Sequence, residues 1–206
     1  MDNTKSHWEQ VYATKGSNEV SWYQTQPQKS LELIQGTGIT HDAQIIDIGG
    51  GASTLVDFLL QADFQNVTVL DISAASLHNA QQRLGNAAKR VTWLETDITQ
   101  ATLATDFYDV WHDRAVFHFL TNPADRLAYV QLAKQALKPN GHIIVATFAP
   151  DGPTRCSGLD VVRYDPEHLH GEFGEPFELV ASYHELHQTP FGTEQSFIYC
   201  YCKKRS

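Results

Sequence analysis

Basic residues are scarce: 15 Lys and Arg stand against 24 Asp and Glu, a formal net charge of −9. A partner held by phosphate neutralisation needs clustered cations, and the one basic cluster, Lys203-Lys204-Arg205, reads as a solvated tail. No nucleic-acid partner is expected. Cysteine is also rare, and Cys156, Cys200 and Cys202 do not make a disulfide framework; they suit a reducing compartment. No run is apolar enough for a membrane span, and Met-Asp-Asn-Thr-Lys-Ser-His at the start has no signal-peptide core. The expectation is a soluble, cytoplasmic protein without a membrane partner. Repeats and low-complexity segments are absent, and 206 residues fit one domain with a core that needs neither disulfides nor structural metal.

What the chain does have is Ile45-Ile46-Asp47-Ile48-Gly49-Gly50-Gly51-Ala52-Ser53, an apolar run that reaches an acid and breaks into three glycines. It reads as a strand entering a cofactor-binding loop, where missing Cβ atoms let a ligand approach the backbone. Gly49-x-Gly51 fits the first two glycines of a dinucleotide fingerprint, but Thr54 occupies the place of the third.

Further runs repeat the pattern. Leu55, Val56, Leu59 and Leu60 recur at helical spacing, Val67-Thr68-Val69-Leu70 ends in Asp71, and Ser73 caps a helix carrying Leu77, Ala80 and Leu84. Val91 to Glu95 is a third strand with Asp97 just beyond it, and Tyr108-Asp109-Val110-Trp111-His112-Asp113 a fourth. Asn122-Pro123 opens a helix expected to bury Leu127, Val130 and Leu137, and His142 to Phe148 reads as a strand covered on both faces. Alternating segments near 177–186 and 195–203 flank Pro190-Phe191-Gly192 and predict a closing hairpin. Pro27 suits the first turn of an earlier helix, preceded by an aromatic segment with His7-Trp8, Tyr12 and Ser21-Trp22-Tyr23. The result is an α/β sheet, parallel until its last hairpin.

The acids choose among cofactors. A dinucleotide brings a pyrophosphate that carboxylates near the loop would repel. S-adenosylmethionine brings an ammonium, a sulfonium, a ribose diol and an adenine amino group, each cationic or a donor. Singly, Asp47, Asp71 and Asp97 serve equally well as caps or turn residues; together and in order they carry the reading. Over residues 43–203 the chain resembles the class I S-adenosylmethionine-dependent methyltransferases: Asp47-x-Gly49-x-Gly51 is similar to the first motif, Asp71 to the ribose acid, Asp97-Ile98 to the adenine pair and residues 108–113 to the fourth motif. Leu137-Lys138-Pro139-Asn140-Gly141 resembles the family's LKPGG turn, with Asn for its first glycine.

The resemblance implies a Rossmann-like three-layer αβα sandwich with a seven-stranded, mostly parallel sheet and an antiparallel last strand. It implies one domain, with residues 1–42 as N-terminal lid and helix and 43–203 as cofactor-binding core. Asp71 would accept from the ribose hydroxyls, with Ile72 beside it; Asp97 and Ile98 would hold adenine; Gly49, Gly50 and Gly51 would pass close to the methionine part; Asp47 would take its ammonium. Asp113 closes the fourth strand near the cofactor, and Trp22 could close over the sulfonium by cation–π attraction.

For the acceptor side, His118 is the candidate base because a histidine is neutral near pH 7. Tyr23, Arg114 and Cys156 are candidate substrate contacts, with Arg114 read first as an ion-pair partner of a rim Asp. No metal is expected: His184 and His187, three apart on a strand, face opposite sides, and Cys200 and Cys202 read as buried. The expected activity is methyl transfer to a small molecule in preference to a protein. Protein lysine and a soft, thiol-held acceptor are minority ideas. A non-catalytic binding module and, behind it, an NAD(P)-dependent oxidoreductase stay open as alternatives.

Overall fold

The computed structural model describes residues 2–206, with the side chains of residues 2, 3 and 17 outside that description. Seven strands form its main sheet: β1 (Gln44–Ile48), β2 (Asn66–Asp71), β3 (Val91–Glu95), β4 (Tyr108–Arg114), β5 (Leu137–Phe148), β8 (Phe177–Gln188) and β9 (Glu194–Lys204), in the order β3-β2-β1-β4-β5-β9-β8. A two-residue ladder, β6 (Arg155–Cys156) with β7 (Leu159–Asp160), lies outside it. The first five strands run parallel, and β9 is antiparallel to both β5 and β8. Strand order reverses between β1 and β4, so ligands are received beyond the carboxyl ends of β1, β2 and β4.

Alternation along the strands builds a core on each side. Ile46, Ile48 and Trp111 pack with α5 (Pro123–Ala136) and α6 (Pro166–Phe173) through Ala133, Leu169 and Phe173. Ile45 and Val110 pack with α2 (Gln28–Gly36), α3 (Leu55–Gln61) and α4 (Ala74–Leu84) through Ile34, Leu55, Leu59 and Leu77. Helix α1 (Asp2–Thr14) lies against α4. No helix among the described residues is long and apolar enough to cross a membrane.

Three local expectations change. Pro27 stands one residue before α2, in its cap position. In α5 the buried stripe is Tyr129, Ala133 and Ala136, while Leu127 is 58% exposed and Leu137 belongs to β5. The stripe keeps i, i+4, i+7 spacing, and two alanines let the helix approach the sheet; Leu127 is out of phase with it. The strand expected from His142 extends back to Leu137, and Asn140 within it has φ 64°, a left-handed conformation that Asn tolerates better than most residues, which is why it can replace glycine in that turn.

Candidate active site

The glycine loop is held open by its own geometry. Gly49 has φ +67°, and a Cβ there would run into the Val116 side chain. Gly51 N–H donates to Asp71 Oδ2 at 3.0 Å and Ser73 N–H to Asp71 Oδ1 at 2.9 Å, so the loop and the start of α4 converge on one carboxylate at the end of β2. Burial pushes the Asp71 acid up to about 6, against the lowering effect of those two bonds. Asp97, past β3, accepts at Oδ1 from Thr99 N–H (2.9 Å) and Thr99 hydroxyl (2.8 Å), which fixes the turn ahead of buried Ile98. Asp47 is buried in β1; its Oδ1 is 2.7 Å from His112 Nδ1, while Oδ2 has no partner.

A cavity of about 340 Å³ reaches Gly49, Asp71 and Asp97 and falls within the range of small-ligand sites. At one end are Asp71, Ile72, Asp97, Ile98 and Gly49; at the other are Trp22, Arg114, Ala115, Phe119 and Cys156. Helix α1 contributes Thr4, Trp8 and Tyr12. Trp8 packs edge-to-face on Trp22 and Phe119, with ring centroids 5.7 and 5.2 Å apart, so α1, the segment after it and the turn after β4 share an aromatic wall. Ala115 in that turn has φ 75°, an uncommon conformation for a residue other than glycine and one that concentrates at functional sites.

The structure redistributes several roles. Asp113 is fully buried and does not line the cavity: its carboxylate accepts from Val116 N–H (2.8 Å), Phe117 N–H (3.1 Å) and Tyr129 hydroxyl (2.6 Å). Those three donors occupy it as the brace of the turn, in place of the cofactor contact expected. His118, in a 3-10 turn (Phe117–Phe119), is fully buried between Phe119 and Phe148, outside the cavity lining. Its Nδ1 accepts from Phe148 N–H at 3.4 Å, and burial drives the ring down to about 3, which makes it a weak base. The base role is withdrawn.

Arg114 does line the cavity, but its partner is Glu185 of β8 and not a rim Asp. Its guanidinium donates to Tyr199 hydroxyl (3.1 Å), Trp22 carbonyl (3.0 Å) and Glu185 (3.4 Å), and stacks over Phe197 at 4.2 Å. It is a strut for Trp22. Tyr23 faces a separate crevice with Asp47 and Gly50 and does not reach the main cavity; Gly51 lines neither. Cys156 lines the cavity as a buried thiol that burial pushes up to about 11. Sequence reasoning missed Trp8, Tyr12 and Phe119 as cavity lining, although the four-residue spacing of Trp8 and Tyr12 puts both on one helix face.

The donor requirements of S-adenosylmethionine fit this set: an unpartnered buried carboxylate oxygen on Asp47 for a cation, acids at the ends of β2 and β3 for hydroxyl and amino groups, and aromatic rings beyond. Comparison with known proteins agrees. A family model for a methyltransferase domain matches residues 46–143. Malonyl-[acyl-carrier protein] O-methyltransferase of Anoxybacillus flavithermus is 37% identical over 123 residues, 59% of this chain and 45% of the relative. EEF1A lysine methyltransferase 2 of Danio rerio is 25% identical over 158 residues, 70% of this chain and 68% of that protein. This chain spans about half the length of the malonyl-[acyl-carrier protein] relatives it matches, at 45% of each. The structure of the N-methyltransferase NodS of Bradyrhizobium japonicum with S-adenosylhomocysteine superposes over the whole of both chains with TM-score 0.75 at 17% identity. Residues 46–143 match a methyltransferase domain, and the chain has the fold of the S-adenosylmethionine-dependent methyltransferase structures on which it superposes.

Proposed function

We propose that this protein transfers the methyl group of S-adenosylmethionine to an uncharged nucleophile on a small molecule. The observation that carries the proposal is the single cavity running from Asp71, Asp97 and Ile98 to the aromatic wall of Trp8, Tyr12, Trp22 and Phe119. The cofactor supplies an electrophilic methyl; the protein's work is to hold it and align the acceptor. In this reading Asp71 and Ile72 bind the ribose, Asp97 and Ile98 the adenine, and Asp47 with Gly49 and Gly50 the amino-acid part. Asp113 and Gly51 support that arrangement from behind.

The acceptor's class follows from charge. Arg114 is the one Lys or Arg among the described lining residues, and Trp22, Tyr199 and Glu185 take its donors. An acceptor carboxylate would meet no available counter-charge, whereas an amine or thiol enters an aromatic, largely apolar space without that cost. Enclosure under α1 favours a small acceptor. A protein amine is the second reading, supported by the likeness to EEF1A lysine methyltransferase 2. A reducing, cytoplasmic setting belongs to the same proposal and is supported by three free thiols. Incubation with methyl-labelled cofactor and separated small-molecule and protein fractions tests it. Label should move to the small-molecule fraction; label on protein alone would select the second reading, and binding without transfer would leave only a cofactor-binding module.

A further inference from the structure

The Asp47 carboxylate is clamped on one side and bare on the other. Parallel pairing of β1 with β4 makes Asp47 and His112 direct neighbours, with Oδ1 2.7 Å from Nδ1. A carboxylate only accepts, so Nδ1 carries the hydrogen, and Nε2 lies 2.8 Å from the Ser30 hydroxyl of α2. All three residues are buried, at 2%, 2% and 0% exposure. The other oxygen, Oδ2, is buried with no partner, and Gly50 leaves it room, because a Cβ there would collide with it. A crevice of about 40 Å³, lined by Asp47, Gly50, His112 and Ser30, adjoins the main cavity and shares Gly49 and Trp22 with it.

A buried carboxylate oxygen left unmet is costly, and two strands and a helix hold this one in place. We propose that His112 is a positioning residue: by fixing Oδ1, with Ser30 locking the far side of the ring, it aims Oδ2 at the ammonium of the cofactor's amino-acid part. The inference rests on the methyltransferase reading. His112 touches neither cofactor nor acceptor in this scheme; it acts through Asp47, as outer partners orient the ligands of a metal site.

Two probes separate this role from general support of the fold. S-adenosylhomocysteine carries the ammonium; 5′-methylthioadenosine shares the adenosine and sulfur but has none. Calorimetric titration of His112→Leu should show S-adenosylhomocysteine weakened about tenfold, with 5′-methylthioadenosine unchanged within about twofold. His112→Asn, whose amide can still donate toward Oδ1, should recover most of the loss. If His112→Leu does not fold, Ser30→Ala provides the same test, with a smaller loss confined to S-adenosylhomocysteine. Equal weakening of both probes, or full affinity for S-adenosylhomocysteine in His112→Leu and Ser30→Ala, would overturn the positioning role. A lack of S-adenosylhomocysteine binding by the unsubstituted protein would instead overturn the cofactor site itself, and this inference with it.

Discussion

Removing one hydroxyl, by Tyr129→Phe, should cost about 3 kcal/mol of stability at pH 8 without touching the cofactor. The oxygen donates to Asp113 Oδ2 at 2.6 Å and accepts from Trp111 Nε1 at 2.8 Å, and all three residues are fully buried. Losing the bond to an ionised carboxylate costs about 1.5–3 kcal/mol, and an unpaired indole N–H about 1–3 kcal/mol. Both losses come from one oxygen, so they do not simply add. The cost depends on pH. Burial raises the Asp113 acid from 3.8 to about 6, so its contribution to stability is complete below about pH 4 and is lost as pH rises through 6. At pH 5 the folded carboxyl is mostly protonated, the bond to Tyr129 is an ordinary neutral one, and the penalty should fall by about 1 kcal/mol. Urea unfolding followed by tryptophan fluorescence at pH 5 and pH 8, with an unchanged slope, reads both numbers. A loss below about 0.5 kcal/mol at both pH values would refute the brace. Cofactor affinity reduced as much as by substitution of Asp71 would return Asp113 to the binding site.

Two other outcomes follow from carboxylates with specific partners. Burial lifts the Asp71 acid to about 6, and in the proposed contact the ribose hydroxyls donate to its ionised form; S-adenosylhomocysteine affinity should therefore fall as pH drops below 6, by at most about tenfold per pH unit, and calorimetry showing no change between pH 7.5 and 5 would contradict that contact. Glu9 of α1 accepts from the Ala74 and Ala75 N–H groups and the Ser73 hydroxyl at the start of α4, at 2.6, 3.1 and 3.2 Å, so Glu9→Ala should cost about 0.5–2 kcal/mol and speed S-adenosylhomocysteine dissociation in stopped flow by loosening the cavity's α1 wall; an unchanged dissociation rate would separate α1 from the site.

Much of the architecture was legible because strand, helix and loop signals agreed. Runs such as 45–48 and 67–70 are apolar but for Asp47 and Thr68, are buried on both faces, and turn out as adjacent strands of the sheet. Side-chain direction at the strand ends was not legible. Asp71 and Asp113 look alike in sequence, each closing an apolar run, yet one lies on the cavity and the other is enclosed by Val116, Phe117 and Tyr129. His118 fails as a base for the same reason: the 3-10 turn seats it between Phe119 and Phe148, a tertiary fact that no spacing encodes. Helix α1 was obscure because its sequence is polar overall, and its stability comes from Trp8 and Tyr12 packing on Trp22 and from Glu9 docking on α4. Leu127 misled through hydrophobicity alone, since the helix turns Tyr129 inward.

Titration of the unsubstituted protein with S-adenosylhomocysteine, in parallel with NAD, bears most directly on the claim that the acids at the ends of β1, β2 and β3 and the aromatic wall form a site for S-adenosylmethionine. The account predicts saturable binding of S-adenosylhomocysteine with a rise in melting temperature, because a ligand selective for the folded state stabilises it, and no binding of NAD, whose pyrophosphate would face Asp47 and Asp71. NAD binding as tight as S-adenosylhomocysteine, or no S-adenosylhomocysteine binding at about 1 mM, would contradict it.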